Sequence, residues 1–106
     1  MNKSIVARNV KGDIVEFISC WINMEDLIEV ISIPNNFIRL DCSDNQLSSL
    51  PQNLPKNLIY LSCERNNIKQ IPNLREFKKL EIVWCDICCF ESYMLEMENI
   101  DFCFYC

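Results

Sequence analysis

The segment Phe37-Ile-Arg-Leu40-Asp-Cys42-Ser-Asp-Asn45-Gln-Leu47-Ser-Ser-Leu50-Pro51 returns as Leu58-Ile-Tyr-Leu61-Ser-Cys63-Glu-Arg-Asn66-Asn-Ile68-Lys-Gln-Ile71-Pro72, with each pattern position 21 residues later. Self-similarity at a fixed period constrains a fold more than composition does. A unit this short cannot bury its own apolar side and must stack on neighbours. Weaker copies extend the pattern both ways. Val15, Ile18, Cys20 and Asn23 precede it; Phe77, Leu80, Ile82, Cys85 and Ile87 follow, and then Met97, Ile100 and Phe102. Starts near residues 15, 37, 58, 77 and 97 give spacings of 22, 21, 19 and 20.

Each block reads as a short strand whose first, fourth and sixth residues point inward while the third, fifth and seventh point outward. Cys20, Cys42 and Cys63 then share one inward position and are expected to stack as a buried ladder of small apolar thiols. The ninth-position amides Asn23, Asn45 and Asn66 are placed to bond the backbone of adjoining turns. After Asn23, the residues Met24, Leu27, Ile28 and Ile31 have helical spacing behind an Asn cap, which predicts a short helix over 24–31. Ser4 to Val10, followed by Lys11-Gly12, reads as a strand or hairpin arm.

Both central blocks fit L-x-x-L-x-L-x-x-N-x-L-x-x-L-P with Cys at the third apolar position, and on these residues the chain resembles the leucine-rich-repeat family. The rhythm Leu50-Pro51, Leu54-Pro55, Leu58 is similar to the repeats of bacterial effectors. The Leu-x-Cys-x-x-Asn form is similar to short repeat proteins of large DNA viruses of amoebae. The resemblance implies an α/β solenoid, mostly β, of about five repeats with one parallel sheet and a mostly irregular convex side. Residues 1–106 would form one such domain, with 1–14 as an N-terminal capping arm. It also implies a protein-binding role, or a structural place in an assembly such as a virus particle.

Composition narrows the rest. Fifteen acids stand against ten scattered bases, for a net charge of −5, so the basic footprint that nucleic acid requires is missing. No run of about eighteen apolar residues suggests a membrane span. The first seventeen residues carry Lys3, Arg8, Lys11, Asp13 and Glu16, unlike a signal peptide. The expected location is therefore intracellular, in a host cytoplasm or within a virus particle, with thiols reduced. Asn2-Lys3-Ser4 matches the glycosylation sequon, and without a signal peptide the match is read as chance.

Candidate chemistry is sparse. There is no His and only one Gly, so neither a His-activated nucleophile nor a glycine-rich phosphate loop can be assembled. No catalytic residue and no cofactor is expected. Cys85-x-x-Cys88 and Cys103-x-x-Cys106 form an alternative four-thiolate zinc set. The expected partner is another protein. The residues expected to meet it are the outward positions Trp21, Arg39, Asp41, Tyr60, Glu64, Lys79, Glu81 and Asp101, with Trp84 at the rim and Phe104 and Tyr105 at the C-terminal end. Aromatics and Arg are the usual anchors of such surfaces. Because the sequence ends at Cys106 without a polar cap, the last strand is a further candidate for self-association or assembly.

Overall fold

The computed structural model describes residues 3–106. Met1 and Asn2, which belong to the expected arm and to the sequon, lie outside the described residues. The inward alternation of Ile5 and Ala7, both fully buried, sets strand β1 (Ile5–Asn9). It pairs antiparallel with β2 (Ile14–Phe17) through a turn that Asn9 organises. The Asn9 carboxamide oxygen accepts from the backbone N–H of Lys11 and of Asp13, each at 3.0 Å, while Gly12 takes φ +86°. The expected arm is thus a hairpin, but it runs on to Phe17 and absorbs Val15.

The helix expected over 24–31 is a strand, β3 (Leu27–Ser32), antiparallel to the other side of β1. Two causes are visible. Met24 and Asp26 adopt left-handed backbone, with φ 58° and 56°, which no helical turn accommodates. Ile28, Val30 and Ile31 are β-branched and favour the strand. The register shifts against β1 at two places, skipping Ile28 and Ile31. Those bulges leave Leu27, Val30 and Ile33 buried at intervals of three, while Ile28 and Ile31 are exposed. Bulging therefore imitated a helical period.

The second sheet is parallel, in the order β4 (Arg39–Asp41), β5 (Tyr60–Ser62), β6 (Ile82–Asp86), β7 (Asp101–Tyr105). Leu40 pairs with Leu61, Leu61 with Val83 and Val83 with Phe102, forming one inward row. The approach to each strand is the same turn: Phe37, Leu58, Leu80 and Ile100 donate their backbone N–H to the carbonyls of Pro34, Pro55, Phe77 and Met97. Short 3-10 turns at Leu74–Glu76, Ile87–Cys89 and Ser92–Glu96 occupy the returning segments. A continuous core runs from Ile5 and Ile22 through Leu40, Leu61 and Val83 to Ile100.

The five-repeat α/β solenoid is accordingly corrected. The chain forms a three-stranded antiparallel sheet followed by a four-stranded parallel one, and the first expected repeat does not exist as such. Trp21 makes an isolated parallel bridge to Asp41. This puts the fully buried Ile22 beside Cys42, where Cys20 was expected, and leaves Ile18 87% exposed. Isoleucine buries more apolar surface than cysteine, so the two-residue shift is favourable. The fourth block also starts three residues later than its spacing suggested. Leu80, Val83 and Cys85 point inward, whereas Ile82 is only half-buried and Ile87 is exposed. No helix of the described residues is long and apolar enough to cross a membrane.

Candidate functional site

The face of the parallel sheet opposite the core carries the side chains of alternate residues: Arg39 and Asp41, Tyr60 and Ser62, Ile82, Trp84 and Asp86, then Asp101, Cys103 and Tyr105. Register aligns them in rows across the strands. Asp41, Ser62, Trp84 and Cys103 form one row, with Trp21 bridged at its end. Arg39, Tyr60, Ile82 and Asp101 form the next. The Trp21 and Tyr60 rings meet edge to face with centroids 6.2 Å apart. Trp21 is 53% exposed and Trp84 39%, which is unusual for the largest apolar side chain.

Polar groups on this face are tied into the strands. Asp41 accepts from the Ser43 backbone N–H at 3.1 Å and from its hydroxyl at 2.6 Å. Ser62 donates its hydroxyl to Glu64, whose carboxylate is buried. Asp86 accepts from the backbone N–H groups of Arg65, at 2.8 Å, and Asn66, at 3.3 Å. The Arg65 guanidinium pairs with Asp44 and lies 5.0 Å from the Tyr105 ring centroid. Burial pushes the Tyr60 phenol above its ordinary value. The neighbouring Asp41 and Glu64 carboxylates add to the shift, against the lowering effect of the Ser62 hydroxyl.

Of the eleven positions expected to meet a partner, the structure brings Trp21, Arg39, Asp41, Tyr60, Glu64, Trp84, Asp101 and Tyr105 to this face or its edge. Glu81 and Lys79 are exposed but precede β6, because the later start of the fourth block makes Ile82 rather than Glu81 its first outward residue. Val83, an outward position by the earlier start, is fully buried. Phe104 lies on the core side, half-buried, with its ring 5.6 Å from Phe90 and 5.9 Å from Phe102. Ile82 and Asp86 were not anticipated. The shared Leu-x-x-Leu-x-Cys spacing of Leu80, Val83 and Cys85 was the signal that could have found them.

The thiols split between the two sides. Cys42, Cys63 and Cys85 hold the same inward position on or beside three adjacent strands and are buried, so Cys85 and not Cys20 completes the ladder. The Cys88 and Cys89 sulfurs donate to the Ile68 carbonyl at 3.5 and 3.3 Å. Burial pushes all the interior thiols up, Cys85 to about 12 and Cys89 to about 11. Cys85 faces the core while Cys103 faces the opposite side of the sheet, and Cys106 is exposed beyond β7. The alternative zinc set is therefore not assembled, and no group of three metal-ligating side chains clusters among the described residues. Comparison with protein-family models, curated proteins and solved structures finds no match to this chain.

Proposed function

We propose that this chain is a non-enzymatic protein-binding module that engages another protein inside the cell through the outer face of its parallel sheet. The observation that carries this reading is the exposure of Trp21 and Trp84 beside Tyr60 on one regular surface. Large rings left in water on a rigid sheet cost solvation in the free protein. Covering them contributes apolar burial with little loss of side-chain entropy. Rings of this type, with arginine, concentrate the energy of protein interfaces. Binding in this mode uses shape, rim charge and apolar contact, with no covalent step and no cofactor.

Affinity capture from native lysate, read by mass spectrometry, tests the assignment. A partner retained by the parent protein should be weakened by Tyr60→Ala and lost with Tyr60→Ala and Trp84→Ser combined, while both variants keep a cooperative melt. Equal capture by the double variant would move the binding surface elsewhere.

A further inference from the structure

Ser62 sits in the middle of the outer face, small and only 2% exposed. Its neighbours are all larger: Asp41 on β4, Trp84 on β6, Tyr60 two residues before it on β5, and Glu64 two residues after it, just past the end of that strand. Strands lie about 4.8 Å apart and alternate residues about 6.6 Å apart, so two rings and the Asp41 carboxylate border the surface over the serine, while the Glu64 carboxylate is buried and already accepts the Ser62 hydroxyl. Charge on the face is one-sided. Asp41, Glu64, Asp86 and Asp101 stand against Arg39 and Arg65, and Arg65 is already engaged by Asp44.

Resting on the reading of this face as a protein-binding surface, we infer that its occupant is a basic, extended peptide segment that places an arginine side chain above Ser62, between Trp84 and Tyr60 and against the Asp41 carboxylate. A planar guanidinium meets both demands of the position, lying against an aromatic face while donating to a carboxylate. The compact lysine ammonium satisfies only the second as well. A net charge of −5 steers basic chains toward the protein. Acidic segments are repelled, and so is a second copy presenting the same face, because like charges would be juxtaposed.

The chain has only two tryptophans, Trp21 and Trp84, and both border this position, so intrinsic emission reports its occupancy. The experiment titrates purified protein with glycine-spaced peptides carrying arginine, lysine or glutamate, at about 50 and 500 mM salt. The arginine peptide should give a saturable emission change at low salt. The lysine peptide should bind about threefold more weakly, and the glutamate peptide should give none. Asp41→Asn, which keeps an oxygen to accept from Ser43, should weaken the arginine peptide about fivefold. Glu16→Gln on β2, an equal change in net charge, should leave it unchanged. Equal responses to arginine and glutamate peptides, or equal weakening by Glu16→Gln and Asp41→Asn, would overturn the inference. If either occurs while capture from lysate still depends on Tyr60 and Trp84, the face remains a binding surface and only the basic occupant is wrong.

Discussion

Asp44 and Arg65 occupy matching places 21 residues apart, both in left-handed backbone at φ 55° and 57°, and the Arg65 guanidinium donates to the Asp44 carboxylate at 2.7 Å. The pair ties the exit of β4 to the exit of β5. The Arg65 hydrogen bond holds the Asp44 carboxyl below its ordinary value of 3.8. Because the folded value is depressed, the pair's contribution is present above the unfolded value and is lost as pH falls through the folded one. Both side chains face solvent, so it amounts to at most about 1 kcal/mol. Thermal melts should show Asp44→Asn less stable than the parent by a constant amount above about pH 5, with the two curves converging under acid. A gap that persists at the acid end would mean that the pair is not its source.

Asn45 should be the costlier of the two bridging amides. Its carboxamide donates to the carbonyls of Ile22, Cys42 and Ser43 at 3.0 to 3.2 Å, and its oxygen accepts from the backbone of Glu25 and Leu27. It therefore joins the antiparallel sheet to the parallel one, at the start of β3. Asn66 accepts from Leu47 and donates to Cys42, Cys63 and Glu64, all within the repeated part of the chain. Asn45→Ala leaves several buried backbone groups unpaired and should cost about 3 kcal/mol, with Asn66→Ala nearer 2 kcal/mol. Denaturant titration at constant slope checks the order, and equal costs would contradict it.

The repeated blocks were legible because identity of spacing needs no knowledge of context. Leu40, Leu61, Cys42, Cys63, Asn45 and Asn66 all sit where the period places them. The flanks were not legible, for two physical reasons. Bulges at Ile28 and Ile31 gave β3 an apolar interval of three, which periodicity alone cannot distinguish from a helix. Around Ile82 and Val83 two adjacent β-branched residues compete for one inward position. The pattern chose Ile82, while packing chose Val83, whose register aligns Leu80 and Cys85 with the strands beside them. On the outer face, the three-residue later start of the fourth block, an odd shift that exchanges the two faces of the strand, hid Ile82 and Asp86 and displaced Lys79 and Glu81 to the approach of β6.

The interior thiols set an alkaline limit to stability. Cys42, Cys63, Cys85 and Cys89 are all pushed up by burial, so the folded state holds their protons more tightly than the unfolded chain does. A raised folded value means that the contribution is complete below the unfolded value near 8.5 and declines as pH climbs from there. For Cys89 and Cys85 the decline extends toward about 11 and about 12. Pulsed alkylation near neutral pH should modify exposed Cys88 and Cys106 first and reach Cys42, Cys63, Cys85 and Cys89 only on unfolding. Early modification of Cys63 would show that the ladder is open to solvent.

Phe104 separates the two roles available to the last strand. Were β7 chiefly an association edge, its rings would face outward and their removal would abolish self-association with little effect on the fold. Instead the Phe104 ring packs edge to face on Phe90 and stacks on Phe102, on the side of the sheet that carries the core. Tyr105 is the ring that faces out, 46% exposed and beneath Arg65. Phe104→Ser should therefore lower stability by roughly 1–2 kcal/mol, a part of what full burial of an aromatic side chain contributes because the ring is half-buried, and Tyr105→Ser by much less. Light scattering on the parent and both variants should give one mass. Association of the parent that disappears with Phe104→Ser while the melt is unchanged would reverse this assignment and make the C-terminal strand an interface.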